Sequence, residues 1–282
     1  MPLTFPAHQA AVLPLKLWRP RWFDGTALVV GAGSPDLFNA FAFVDTFDSH
    51  HWDGIALAVP FTIIYSMLLR RYAVDGLFGS MPDFGPLRAR SYRVLANGRP
   101  RLLVTAFSAF IGVASHIAID SFTHPYRIGS NLLGLHRALF EGPFGPVSGA
   151  KFLQYVGHTF GSMIGLLLFV LVVSRRHLGE WYGDDAIDDA RDAPIAPGAR
   201  GRAIAILGLA LFTGMLWGVE NAQFPIFHMG FTTVLAFLLI GIVNRSSPTT
   251  LATCPDISIL HVTTSSTPSN ERSPKTSRHS AT

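Results

Sequence analysis

The stretch LLVTAFSAFIGVASHIAIDSFTHP, Leu102 to Pro125, decides how the rest of the chain is read. Its run from Leu102 to Phe122 is long enough to cross a bilayer, which takes about 17 to 25 apolar residues. Yet it carries His116 and Asp120 inside it and His124 at its end. In a helix these sit at i, i+4 and i+8, so all three side chains share one face, one turn above another. Pro125 should end the helix near Thr123 and let His124 swing off that face.

Working outward, the composition supports a membrane protein. The chain has 282 residues, of which 49% are hydrophobic and 14% charged, with a mean hydropathy of +0.35. That is too apolar and too charge-poor for an ordinary soluble domain. The formal charge of +4 does not point to nucleic acid, because Arg and Lys fall in short runs between apolar segments, where they act as topology signals. The single cysteine, Cys254, excludes an internal disulfide and any cysteine-based zinc knuckle, so a metal site would need His and carboxylate ligands. The opening MPLTFPAHQAAVLPLKLW has no basic region before its apolar part, which argues against a cleavable signal peptide.

The expected fold is all-α, a polytopic transmembrane helix bundle of about six segments. Five are clear: Ile55 to Leu69 extended backwards by Trp52, Leu102 to Phe122, Tyr155 to Val173, Ala203 to Val219, and Ile226 to Val243. A weaker sixth, Thr26 to Val44, should break at its Gly-Ser-Pro-Asp centre, which membranes tolerate where the freed backbone is buried in protein or lines a cavity. Placing Lys16, Arg19, Arg21, Arg70, Arg71, Arg88 to Arg101, Arg175, Arg176, Arg200, Arg202 and Arg245 inside makes every span alternate. Both ends of the bundle are then expected on the cytoplasmic side.

Residues 1–245 read as one transmembrane domain. The connections Arg70 to Arg101 and Ser174 to Arg202, rich in Gly, Pro and charge, read as solvated linkers, the second holding DDAIDDARD. Residues 246–282, dominated by Ser, Thr and Pro, read as a disordered tail. No internal repeat marks duplicated transporter halves.

On this topology the ionisable groups gather at one side: His50, His51, Asp120, His124, His158, Glu220 and His228 near the outer ends of the spans. His116 lies deeper, about 21 Å above the inner end of its helix. Asp36, in the broken span, is expected at similar depth. Titratable side chains inside a bilayer cost several kcal/mol unless paired or ligated, so they are functional candidates by default. Imidazole and carboxylate are the usual ligands of zinc and related divalent ions, and the i, i+4 spacing lets one helix supply two. The competing reading is a polar network that fixes helix packing or relays protons. Asp36 also suits a helix cap. An axial haem pair from His116, His158 and His228 is a third alternative, opposed by the carboxylate one turn from His116.

Four pieces, MPLTFPAHQAAVLPL, ALVVGAGSPDLF, HHWDGIALAVP and SHIAIDSFTHP, resemble in order the bacterial membrane proteins catalogued as domain of unknown function 4184. That group is similar to the YdjM-type membrane-bound metal-dependent hydrolases. The resemblance implies a site drawn from His8, Asp36, His50, His116, Asp120 and His124; their imidazole and carboxylate donors suit a divalent ion, zinc first, with Asp36 or Asp120 either binding metal or acting as the catalytic base. The expected function is hydrolysis of an ester or phosphoester, lipid-linked substrates being suited to a site at headgroup depth. Membrane lipid is the expected partner, nucleic acid is not, and the oligomeric state is left open. The alternative is a transporter or assembly factor that uses the cluster as a relay or packing network.

Overall fold

The computed structural model describes residues 4–40, 52–83, 88–143, 145–174, 177–220 and 225–245. His50 and His51, and the tail from Ser246, lie outside the described residues, as do the side chains of Glu220 and His228. The chain opens with a short helix α1 (Thr4–Ala7) and α2 (Gln9–Trp18), then enters the broken span as α3 (Gly25–Gly31) and α4 (Ser34–Ala40). Next, α5 (Ile55–Leu68) passes through one π turn (Leu69–Ala73) into α6 (Val74–Ser80), and a run of 3-10 helix (Ala89–Asn97) leads to α7 (Leu102–Thr123). A short α8 (Ile128–Leu132) and an antiparallel hairpin, β1 (Ala138–Gly142) with β2 (Gly145–Ser148), precede α9 (Gly149–Ser174). Helices α10 (His177–Tyr182), α11 (Asp184–Asp192), α12 (Ala199–Glu220) and α13 (Pro225–Val243) complete it.

The chain is therefore all-α and membrane-like. Four helical stretches are long and apolar enough to cross a bilayer: Trp52–Ser80, Leu102–Thr123, Gly149–Ser174 and Ala199–Val219. Thr232–Val243 is a shorter apolar helix, and the weak span is the α3–α4 pair.

The break in that span shows where its backbone bonds go. Pro35 has no N–H, so the carbonyl of Gly31 cannot receive the usual i+4 donor; the Ser34 hydroxyl donates to it instead, at 3.2 Å. The turn at Ala32 and Gly33 shifts Gly33 N to the Val30 carbonyl, which releases the carbonyl of Val29. Gln9 Nε2 donates to that oxygen at 3.1 Å. The carbonyl of Ala32 is taken by His116 Nδ1 at 2.8 Å. Three freed oxygens in an apolar setting are thus each met by a buried side chain, as the cost of orphaned buried carbonyls demands.

Small residues bring the elements this close. A Cβ on Gly112 would lie 2.8 Å from the Leu28 carbonyl, and one on Gly31 would lie 2.9 Å from that of Ala109, so α3 and α7 touch backbone to backbone beside the break. On α9, Gly161 and Gly165 form a groove that receives Ala7 and Pro6, and any side chain at Gly165 would collide with the Pro6 carbonyl. Gly76 and Gly241 make a third such contact, between α6 and α13.

The opposite, arginine-rich end corrects the reading of the connections as solvated linkers. The helix does not stop at Leu69: Arg70 is buried within the π turn and binds both carboxylate oxygens of Asp24 at 2.6 Å. Asp24 also caps α3 through the amides of Thr26 and Ala27, and it accepts from the Thr105 hydroxyl at 2.8 Å. Arg93, 2% exposed, pairs with Asp75 at 2.8 Å and donates to the carbonyl of Ala193 at 2.7 Å. Tyr92, Val172, Val173 and Leu178 form a buried cluster against Trp181, Tyr182 and Ile187. The acidic run is helix α11, with Ala190 turned inward. Charge and glycine content suggested solvent, but paired arginines and one apolar helix edge make a packed cap.

Candidate metal centre

Four elements carry the cluster. His116 and Asp120 stand one turn apart on α7, both buried. Asp36 lies in the first turn of α4, directly after the break. His8 sits between α1 and α2, held at depth because Pro6 and Ala7 fill the glycine groove of α9. Its side chain is 5% exposed although it belongs to the first residues of the chain.

His116 fixes the geometry. A carbonyl oxygen only accepts, so Nδ1 carries the proton that it donates to Ala32, and the neutral ring keeps its lone pair on Nε2. That nitrogen lies 3.3 Å from Asp120 Oδ2 and 3.6 Å from Asp36 Oδ1. Asp120 spans the cluster, with Oδ1 3.5 Å from His8 Nε2 and Oδ2 3.7 Å from His124 Nδ1. The rings of His8 and His116 stack at 4.2 Å between centroids.

These separations fit a common ion. Charge-assisted hydrogen bonds are shorter, about 2.7–2.9 Å. Two donors each bound at about 2.0–2.2 Å to one tetrahedral ion stand about 3.3–3.6 Å apart. The donor atoms of His8, His116 and Asp120 all lie within 4.8 Å of one another, and Asp36 adds a fourth oxygen beside His116. The Ala32 carbonyl that orients His116 is the kind of outer partner that ligating histidines keep.

Of the residues expected from sequence, Asp36, His116 and Asp120 come together, and His8 joins them. The α7 helix ends at Thr123 as Pro125 requires, with His124 extended at φ −111°. His124 Nε2 lies 3.0 Å from Gln154 Nε2 on α9; the amide donates, which leaves the His124 proton on Nδ1, facing Asp120. His124, expected as a ligand, thus stands beside Asp120, with Nδ1 3.7 Å from Oδ2. His50 lies outside the described residues. Sequence reasoning gave no role to Gln154 or Gly161 and Gly165; the GHTFGSMIG spacing from Gly157 to Gly165 was the available signal, since glycines four apart line one helix face. His158, also on α9, has its ring 6.1 Å from that of His8.

The chain belongs to the family described as domain of unknown function (DUF4184), which matches residues 1–254. Comparison with curated proteins and with solved structures gives no match.

Proposed function

We propose that this protein is a membrane-embedded, metal-dependent hydrolase of an ester or phosphoester, with a site at the outer-leaflet side of a bacterial cytoplasmic membrane. The observation that carries it is the buried set of His8, His116 and Asp120, whose donor atoms lie within 4.8 Å of one another, with His116 Nε2 3.3 Å from Asp120 Oδ2 like one edge of a tetrahedral metal site. His8, His116 and Asp120 would hold the ion, zinc first by its preference for imidazole and carboxylate.

A bound zinc ion would lower the pKa of water toward ~7 and polarise the ester oxygen. The remaining steps belong to the chain. His116, tied to Ala32, keeps its lone pair on Nε2. His124, which accepts from the Gln154 amide, flanks the Asp120 carboxylate at 3.7 Å. Asp36, 19% exposed, is the carboxylate with access to a water and serves as general base. Net hydrolysis adds one water: its oxygen joins the acyl or phosphoryl centre, its proton ends on the departing alkoxy oxygen, and the ester bond breaks.

The test is ester hydrolysis by the purified protein before and after chelation, with Asp36→Asn compared at equal metal content. Activity that survives complete metal removal sinks the proposal. The second reading, a packing network, draws on the hydrogen bond from His116 to the helix break; it predicts a wild type that takes up no ion and a His116→Ala variant that loses stability with no change in metal content.

A further inference from the structure

Beside the cluster lies a cavity of about 230 Å³ whose lining includes His8, Ile119, Thr123, Gln154, Gly157 and His158. Resting on the metal reading above, we infer that this cavity is a ligand chamber for a small uncharged carboxylic ester, held through His8 and His158.

The chemistry comes from two ring nitrogens. With His8 Nε2 turned to Asp120 as a ligand, the neutral ring carries its proton on Nδ1. Ligating histidines donate that second N–H to an acceptor, and His116 does so to Ala32. His8 Nδ1 is buried and meets no hydrogen-bond partner among the described residues. The same holds for His158 Nδ1, and both residues line the one cavity. A ligand that fits must therefore bring an oxygen acceptor to His8 and a second polar atom to His158.

Charge and size narrow the class. Among the described residues no Lys or Arg lines the cavity, and its walls beyond the two histidines are alanines, Ile119, Gly157 and the uncharged side chains of Thr123 and Gln154, so none of them matches the fixed cations that phosphate sites use. A neutral ester carbonyl fits where a phosphate would not. At about 30 Å³ for each small heavy atom, by analogy with liquid water, the volume takes roughly eight non-hydrogen atoms, the size of a short acyl ester. Gly157 marks the open side, because a Cβ there would meet nothing within 4 Å. A long side chain at this position should fill the chamber without displacing backbone.

The experiment uses the full chain in detergent and the amide probe N-methyl trifluoroacetamide, which has about eight non-hydrogen atoms to match the chamber, followed by fluorine NMR, with metal content measured on the same samples. Gly157→Leu should weaken probe binding by about tenfold or more with metal unchanged, and His158→Ala by about threefold to tenfold for one lost hydrogen bond. If Gly157→Leu does not fold, Gly157→Cys in a Cys254→Ser background, blocked with a maleimide after folding, supplies the plug. Wild-type affinity in the plugged and His158 variants overturns the inference, as does displacement of the probe by dimethyl phosphate in preference to unlabelled butyramide. A wild type that binds the probe yet takes up no metal after zinc loading overturns the metal reading and leaves the chamber. A metal-loaded wild type that does not bind it overturns the chamber alone.

Discussion

Replacing Gly112 by Ala should weaken metal binding although Gly112 contributes no side chain to the candidate ligand set. The added Cβ would lie 2.8 Å from the Leu28 carbonyl and 3.0 Å from Ala32 N, where ordinary contact begins at 3.4 Å. Both partners are backbone, so α3 and α7 must part by about 0.6 Å to reach that ordinary contact distance. The 2.8 Å bond from His116 to Ala32 spans the same interface, and the same shift would carry it past the ~3.2 Å limit of a good N–H···O bond. The released carbonyl costs about 1–3 kcal/mol, the strained packing a similar amount, and the loss of the orienting partner about 10–100-fold in metal affinity. The assay is zinc titration against a competing chelator, with thermal unfolding on the same preparation. Gly208→Ala is the control, since a Cβ there meets nothing within 4 Å. If Gly112→Ala folds cooperatively and binds zinc with wild-type affinity, the coupling of the helix break to His116 is refuted.

Two further predictions concern the opposite end. Arg70→Met should destabilise the fold by about 3–5 kcal/mol by leaving Asp24 buried without its guanidinium, and Asp24→Asn in the same chain should recover much of that loss; denaturant unfolding of the single and double variants checks it, and equal losses that simply add would count against a buried pair. Lys16 is buried, with its amine on the carbonyls of Pro20 and Phe23, and burial lowers its pKa to about 8. The unfolded chain then binds more protons between pH 8 and the ordinary lysine value, so stability rises with pH across that window and the penalty is fully present below it. The thermal midpoint of wild type should climb relative to Lys16→Met from pH 8 to 10, and a constant difference would speak against the shift.

The legible part of the site was what a single helix face or a local break encodes. His116 and Asp120 announce themselves by i, i+4 spacing inside an apolar run, and Gly-Ser-Pro-Asp announces the break that presents Asp36. His8 entered through the family resemblance, since nothing near it in sequence signals burial. Its depth is set by Gly161 and Gly165, a contact across most of the chain. Long range also explains the misread connections. Arg70 looks like a topology marker until Asp24 meets it, and Arg93 looks solvated until Asp75 and the carbonyl of Ala193 surround it. The span pattern, by contrast, needs only length and hydropathy, and four of the expected spans appear as helices of membrane-crossing length and hydropathy.

Elemental analysis of detergent-purified protein, equilibrated with zinc and then desalted, shows whether His8, His116 and Asp120 hold an ion. The account predicts about one tightly held ion per chain in the wild type, lost in both His116→Ala and Asp120→Ala while helix content by circular dichroism stays the same. Wild-type protein that is folded and carries no ion, or both variants retaining it in full, would contradict the account.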